Sequence, residues 1–217
     1  IASLPHVVGL VTDLGPAEAR RALVSLRAEV RRRERIVAHG GVTDVTEMPG
    51  PDAPPALLVV VDEFATLAAE QPALLDGLMD VAQRGRSLGV HLLLATQRPT
   101  GVITDAIRAN VNLRLALRVA DEQDSRDVVD LPTAAHLPTD RPGRAVLRLG
   151  PRHATTIQIA TTAGRADPGP RVRCRSLHDD GTRGADDASE ESMAGAPTEV
   201  QVAVERCIDA AAVTGLA

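Results

Sequence analysis

Two continuous apolar runs dominate the hydrophobic pattern of this chain. Leu57–Val61 holds five apolar residues in succession, and the run 90–95 is interrupted only by His91. Runs of this length that contain β-branched residues predict strands buried on both faces of a parallel sheet. The segment 72–88 between them has helical spacing and a length that suits a crossover. The pattern therefore predicts an α/β fold with a mostly parallel sheet.

Shorter periodic segments flank these two runs. Alternating or helical spacing predicts a strand at 6–13, helices at 17–39, 64–69, 104–109 and 121–130, a strand at 112–119, and a hairpin of strands at 144–149 and 154–160. Pro16 suits the first turn of the long helix, and Gly40 follows its last periodic residue.

The composition changes after Ala160. Residues 161–196 carry few apolar side chains and several adjacent acidic pairs, which is typical of a flexible linker. Helical spacing returns at Thr198, where Thr198 and Gln201 have the spacing of a capping box. We therefore expect a domain at 1–160, a linker at 161–197 and the start of a following module at 198–217.

Two carboxylates, Asp62 and Glu63, directly follow the first apolar run. The carboxyl ends of parallel strands are where ligands bind in open α/β sheets. An apolar strand that ends in Asp-Glu has the form of a Walker B element, in which the first carboxylate holds Mg²⁺, usually through water, and the second polarises the water that attacks the γ-phosphate. The alternative is a strand that ends in an acidic helix cap.

The second apolar run also ends in polar residues, Thr96, Gln97 and Arg98, before Pro99 prevents further pairing. In nucleoside-triphosphate motors this position holds a sensor of the γ-phosphate or of the attacking water. We expect Thr96 to contact the nucleotide and Gln97 to act as the sensor. The alternative is an ordinary connection from a strand to a loop. Two neighbouring strands that both end in polar residues favour a functional site over that alternative.

The chain contains no Gly-x-x-x-x-Gly-Lys-[Ser/Thr] motif, and all 24 of its Lys and Arg residues are Arg. A P-loop requires that lysine and glycine-rich backbone to hold the phosphates. We therefore expect a partial P-loop ATPase domain whose phosphate-binding part lies upstream of residue 1.

The remaining composition excludes several other classes of function. The formal net charge of −5 gives no general attraction to nucleic acid or anionic lipid, and no apolar run approaches the roughly 20 residues of a membrane span. Cys174 and Cys207 lack metal-site spacing and are expected to be free thiols in a reducing compartment, and the six histidines form no evident ligand set.

Residues 4–160 resemble the FtsK/SpoIIIE motor ATPases. The resemblance rests on Leu4-Pro-His-Val-Val with Thr12-Asp13, Glu29-x-x-Arg32-Arg33, Val-Val-Val-Asp62-Glu63-Phe64, the block from Gln83-Arg-Gly-Arg86 to Ala-Thr96-Gln97-Arg98-Pro99, Gly101-Val-Ile-Thr with Ala-Asn110, and Asp124-Ser-Arg126. The block from Asp62 to Pro99 is the most specific part.

The resemblance implies a RecA-like P-loop NTPase that forms a hexameric ring and binds ATP between neighbouring subunits. Asp62 would then hold Mg²⁺, Glu63 would activate water, and Gln97 would sense the γ-phosphate. Arg86 matches an arginine near the nucleotide or subunit interface. Arg32 and Arg33 match a pair that could act as fingers on the neighbouring subunit.

Three functions remain open. The secretion branch of the family, in type VII secretion systems, carries such domains in tandem at the cytoplasmic face of the bacterial cell membrane and moves secreted proteins. We favour it because the segment after Pro142, the linker and the new helix at Thr198 resemble tandem secretion proteins. The alternatives are a double-stranded DNA translocase in chromosome segregation or conjugation, whose usual winged helix is not visible here, and a degenerate scaffold domain, against which the intact Asp62-Glu63 pair argues.

Overall fold

A computed structural model describes residues 4–12, 15–48, 50–160, 164 and 197–214. The chain divides into two units, one formed by Val11–Ile159 and the other by Ile1–Leu10 with Ala160–Ala217. In the described part of the chain, no helix is long and apolar enough to cross a membrane.

The long predicted helix is confirmed as α1, Pro16–His39. Its buried residues Ala19, Val30 and Val37 follow the helical repeat, and Pro16 occupies the first turn, where its missing N–H costs nothing. The Gly40 N–H bonds to the Ile36 carbonyl at 2.9 Å and completes the last turn. This buried stripe packs α1 against helix α3, Pro72–Gly85.

The two apolar runs form the parallel pair β1, Leu57–Val61, and β2, Val90–Leu94, in register from Leu57 opposite Val90 to Val61 opposite Leu94. They are connected by α2, Phe64–Glu70, then α3 and a 3₁₀ turn at Arg86–Leu88. The core on this side of the sheet contains Val30, Val37, Val81, Leu88 and Val90.

The prediction that both strands are buried on both faces is wrong for the part of the chain that the structure describes. Burial alternates along β1, where Leu58 and Val60 are 58% and 57% exposed, and Leu93 of β2 is also exposed. The helices α1 and α3 contribute to the core on one face, through residues such as Val30 and Val81. The run is therefore continuously apolar in sequence although only one of its faces is covered here.

The predicted strand at 6–13 is also wrong over its described residues. Residues 4–12 form a turn, in which the Val7 N–H bonds to the Leu4 carbonyl at 3.1 Å, followed by irregular chain. Val8 is 87% exposed, and this segment has no ladder partner among the described strands. Apolar composition without a neighbouring strand does not produce a strand.

A second, antiparallel sheet has the order β3-β4-β5. It follows helix α4, Asp105–Asn110, and its strands are β3, Leu113–Leu117, β4, Arg144–Leu149, and β5, His153–Gln158. The predicted hairpin is confirmed as β4 and β5, and Gly150 supplies the positive φ of 63° that its turn requires. The helix predicted at 121–130 is confirmed as α5, Glu122–Val129, capped by Asp121.

Buried polar contacts fix α5 against the following 3₁₀ helix, Pro132–His136. The fully buried Ser125 hydroxyl donates to the Leu131 carbonyl and accepts the Ala134 N–H at 3.0 Å. Arg114 and Arg148 face each other across β3 and β4, and Asp130 lies between them at 2.6 and 3.2 Å. The hydrogen bond from Arg114 lowers the pKa of Asp130, and the charges of Arg114 and Arg148 add to that effect.

In the other unit, the predicted helix is confirmed as α6, Glu199–Thr214. The capping box is also confirmed, because the Gln201 N–H bonds to the Thr198 hydroxyl at 3.2 Å and the Thr198 N–H bonds to Gln201 Oε1 at 2.7 Å. Almost all of the predicted linker, like Asp13 and Cys174, lies outside the described residues. The domain boundaries stay a prediction.

Candidate functional site

The exits of β1 and β2 lie side by side because their pairing continues past the strands. The Ala95 N–H bonds to the Val61 carbonyl at 2.9 Å, and the Phe64 N–H bonds to the Ala95 carbonyl at 2.9 Å. This main-chain ladder brings the pair Asp62 and Glu63 next to residues 95–97. Parallel pairing in register therefore creates the cluster of polar groups that the sequence predicted at this edge of the sheet.

Asp62 is exposed at the end of β1, and its Oδ1 accepts the Glu63 N–H at 3.0 Å. Mg²⁺ in nucleotide-binding proteins is usually held by one or two carboxylates together with substrate phosphates and waters. A single exposed carboxylate at a strand exit fits that chemistry. Within the described ranges, no group of three or more His, Cys, Asp or Glu could hold a metal ion by itself, so phosphate oxygens and waters would have to supply the other ligands.

Glu63 has a left-handed backbone, with φ 50° and ψ 49°, at the N-cap of α2. This conformation is uncommon for a residue other than glycine, asparagine or aspartate and costs on the order of 1–2 kcal/mol. Its half-buried carboxylate accepts the Thr96 hydroxyl at 2.8 Å on Oε1 and the Gln97 N–H at 3.3 Å on Oε2. Two residues that follow β2 therefore hold the strained Glu63 in place through hydrogen bonds to its carboxylate.

Residues 96–98 form a short polar turn around the Thr96 side chain. The Arg98 N–H donates to the Thr96 hydroxyl oxygen at 3.1 Å, while the side chains of Gln97 and Arg98 are exposed. The structure therefore brings together Asp62, Glu63, Thr96 and Gln97, as the sequence predicted. It places the Thr96 hydroxyl on Glu63, a contact that the sequence did not predict.

Arg33 is a core residue in this structure, which corrects its expected role, together with Arg32, as a finger on the neighbouring subunit. It is 3% exposed, and its guanidinium donates to Glu29 at 2.8 Å, to the Leu88 carbonyl at 2.9 Å and to the Pro55 carbonyl at 2.7 Å. A guanidinium engaged on all sides cannot reach a neighbouring subunit. The sequence signal was the spacing of Glu29 to Arg33, which allows an i,i+4 ion pair.

Arg32 and Arg86 are exposed and remain available at the surface. Arg32 makes a two-pronged ion pair with Glu29 on α1, with both distances 2.7 Å, and Arg86 opens the turn before β2. Arg86 lies before the start of β2, whereas Glu63 lies after the end of β1. Because the two strands are parallel and in register, the length of a five-residue strand, roughly 15 Å, separates these two positions. In the described residues, the hydrogen bonds and ion pair of the Arg32 side chain are to Glu29, and Arg86 lies at the opposite end of the strand pair from Asp62 and Glu63.

Ion pairing strongly affects the acidity of Glu29. The hydrogen bond from Arg32 is the largest cause, the bond from Arg33 adds to it, and together they lower the pKa of Glu29 to about 2 against the opposing effect of partial burial. Glu29 is therefore a permanent anion between the two arginines at neutral pH.

Comparison with known proteins shows which family this segment is similar to. The sequence profile of the FtsK/SpoIIIE family matches residues 48–101, which include both strand exits. These residues belong to the FtsK/SpoIIIE family. Over this range the chain is similar to the FtsK/SpoIIIE-type ATPases, and the curated relatives it resembles are type VII secretion proteins.

The type VII secretion system protein EssC of Staphylococcus aureus is 42% identical over 154 residues, which cover 68% of this chain and 10% of that protein. The cytoplasmic domain of the type VII secretion ATPase EccC from Thermomonospora curvata has a TM-score of 0.66 and 28% identity, over 76% of this chain and 20% of that chain. The pCW3 conjugation coupling protein TcpA, solved with ATPγS, has a TM-score of 0.58 and 26% identity, over 64% of this chain and 43% of that chain.

These likenesses confirm the α/β fold class of P-loop ATPase domains. In the described residues the parallel sheet consists of β1 and β2, and the other three strands form the separate antiparallel sheet. The chain spans about 10% of the length of the curated relatives it matches.

Proposed function

We propose that this chain is the water-activating part of a longer motor ATPase that drives protein export through a type VII secretion system. The observation that carries the proposal is the meeting of Asp62 and Glu63, at the exit of β1, with Thr96 and Gln97 at the exit of β2. A carboxylate pair beside a polar turn, at the carboxyl edge of a parallel sheet, is the arrangement that phosphoryl-transfer enzymes use.

Each side chain has a distinct role in this proposal. Asp62 would hold Mg²⁺ through water, and that ion would supply positive charge against the phosphates of ATP. Glu63 accepts a hydrogen bond from the attacking water and takes its proton. Gln97, whose side chain is exposed beside Glu63, senses the γ-phosphate.

Other parts of the protein supply the remaining components. With no lysine and no P-loop motif in this sequence, the phosphates of ATP are held by another segment of the longer protein. Arg32 and Arg86 are exposed, and Arg86 lies a strand length away from Glu63, so we assign both to the nucleotide of a neighbouring subunit in a ring. Further ATPase domains of the same polypeptide, at the cytoplasmic face of the cell membrane, complete the motor.

The identity of the cargo rests on similarity and charge. The 42% identity with the secretion protein EssC favours secreted protein over DNA as the cargo. The net charge of −5 also provides no general attraction to DNA. The DNA translocase is kept as a second candidate because TcpA shares the fold.

A secretion assay with the full-length protein in its own host tests the proposal. Glu63→Gln should abolish appearance of type VII substrates in the culture medium while the variant accumulates to wild-type level. The matched control is Glu70→Gln, an exposed carboxylate at the end of α2, which should export normally. Normal export by Glu63→Gln would contradict the proposal, and a selective defect in DNA transfer or chromosome partition would favour the second candidate.

A further inference from the structure

We propose that Thr96 is a positioning residue for Glu63: its hydroxyl sets the orientation of the carboxylate that activates water and does not bind the nucleotide. This inference rests on the proposed function. The contact that carries it is the 2.8 Å hydrogen bond from Thr96 Oγ1 to Glu63 Oε1, between the exits of β2 and β1.

The hydrogen-bonding capacity of the Thr96 hydroxyl distinguishes positioning of Glu63 from binding of the nucleotide. A threonine hydroxyl has one proton to donate. The Arg98 N–H occupies one lone pair of the oxygen at 3.1 Å, and the Glu63 carboxylate receives the proton at 2.8 Å. The alternative acceptor, the Arg98 carbonyl, is more distant at 3.4 Å. Phosphate oxygens only accept at neutral pH, so Thr96 cannot donate to a phosphate without releasing Glu63.

Glu63 needs this support because its backbone is strained. A left-handed φ of 50° persists at a glutamate only when its surroundings hold it there. Thr96 holds one carboxylate oxygen, the Gln97 N–H holds the other at 3.3 Å, and the Phe64 N–H fixes the following residue to Ala95. Each carboxylate oxygen keeps a second acceptor site, so a water molecule can still bind Glu63.

The same contacts link the base to the sensor. The Gln97 N–H bonds to Glu63, and the Gln97 side chain extends from the same residue into solvent. A displacement of Gln97 upon contact with a γ-phosphate is therefore transmitted to Glu63 through one residue. Holding a base in productive orientation lowers the entropic part of a reaction barrier, which is the advantage that Thr96 provides.

The test compares Thr96→Val, which keeps the branched shape but removes the hydroxyl, with Thr96→Ser, which keeps the hydroxyl, in the full-length protein. A hydrogen bond to a charged group corresponds to about ten- to a hundredfold in rate. Thr96→Val should lower kcat by that factor with KM for ATP unchanged within about twofold, and Thr96→Ser should restore most of kcat. The control Thr133→Val, an exposed threonine in the Pro132–His136 helix, should match wild type.

Nucleotide affinity, measured with hydrolysis blocked by Glu63→Gln, supplies a second readout. Adding Thr96→Val to that variant should leave the dissociation constant for ATP unchanged within about twofold. A clear weakening of ATP binding would show that Thr96 contacts the nucleotide and would overturn the inference. Unchanged kcat in Thr96→Val, or no rescue by Thr96→Ser, would also overturn it. Absence of ATP turnover in the wild-type protein would instead overturn the proposed function, and this inference with it.

Discussion

The buried guanidinium of Arg33 donates a 2.9 Å hydrogen bond to the carbonyl oxygen of Leu88, joining α1 to the turn that leads into β2. Its other terminal nitrogen donates to the Pro55 carbonyl at 2.7 Å, just before β1. One side chain therefore fixes the amino-terminal ends of both strands, whose opposite ends carry the candidate site.

We expect Arg33→Ala to reduce the free energy of unfolding of this chain by about 3 kcal/mol, because the buried Leu88 carbonyl and the partly buried Pro55 carbonyl lose their donor and Glu29 loses one of its two arginine partners. Arg32→Ala is the matched control, since it removes the half-exposed partner of the same glutamate and should cost less than about 1 kcal/mol. Urea unfolding monitored by circular dichroism measures both. Equal costs for the two variants would contradict the core role of Arg33.

The ion pairs of Glu29 predict how stability depends on pH. Because the folded-state pKa is lowered from 4.5 to about 2, the contribution of Glu29 is fully present above about pH 4.5 and is lost as pH falls toward 2. The difference in unfolding free energy between wild type and Glu29→Gln should therefore shrink across that window. Titration of the Glu29 carboxyl by NMR should give a low midpoint, and a midpoint near 4.5 would contradict this account.

Much of the fold could be predicted from sequence because the relevant forces are local. Helical spacing and capping located α1 and α5, and turn chemistry located the hairpin of β4 and β5. The exposed face of β1 could not be predicted, because whether an apolar strand is covered depends on segments distant in sequence. For the same reason, the run at 6–13 had strand composition but no partner strand over its described part.

The candidate site was predictable in its composition but not in its contacts. The residue types at the two strand exits indicated Asp62, Glu63, Thr96 and Gln97, since parallel strands bring their carboxyl ends together. The bond from Thr96 to Glu63 depends on the backbone conformation of Glu63, which no residue pattern encodes. Arg33 is buried and Arg32 is exposed because of which side of α1 faces the core. Three arginines in succession, at 31–33, do not show in the sequence which of them lies on the core side.

Close packing at Gly85 predicts a cost for adding a single methyl group. A Cβ there would lie 2.6 Å from Cβ of Val90, a stiff side chain at the start of β2. Gly85→Ala should destabilise the chain by about 1–3 kcal/mol. Gly77→Ala is the comparison, because its Cβ would meet the side chain of Leu23, which is not β-branched and can rotate away, and the helix gains propensity. Thermal unfolding of the two variants should separate them, and equal midpoints would contradict this prediction.

The exposure of Arg32 predicts a role between subunits of the full-length protein. Arg32→Ala should lower ATP turnover of the assembled protein, by up to the roughly 10³–10⁵-fold that an arginine finger provides. Mixing this variant with Glu63→Gln should restore part of the activity, because hybrid interfaces then pair an intact Arg32 with an intact Glu63. If mixed assemblies are no more active than the separate variants, Arg32 does not act on a neighbouring subunit. Its role is then limited to the ion pair with Glu29 on α1.

The most direct test of the central claim is phosphate release by full-length Glu63→Gln, measured together with its affinity for ATP. The substitution keeps the size and hydrogen-bonding oxygen of the side chain but removes the charge that takes a proton from water. Steady-state turnover should fall by about 10²–10⁴-fold, with ATP affinity within about twofold of wild type. Turnover reduced by less than threefold, with normal ATP binding, would show that Glu63 is not the base and would contradict the account.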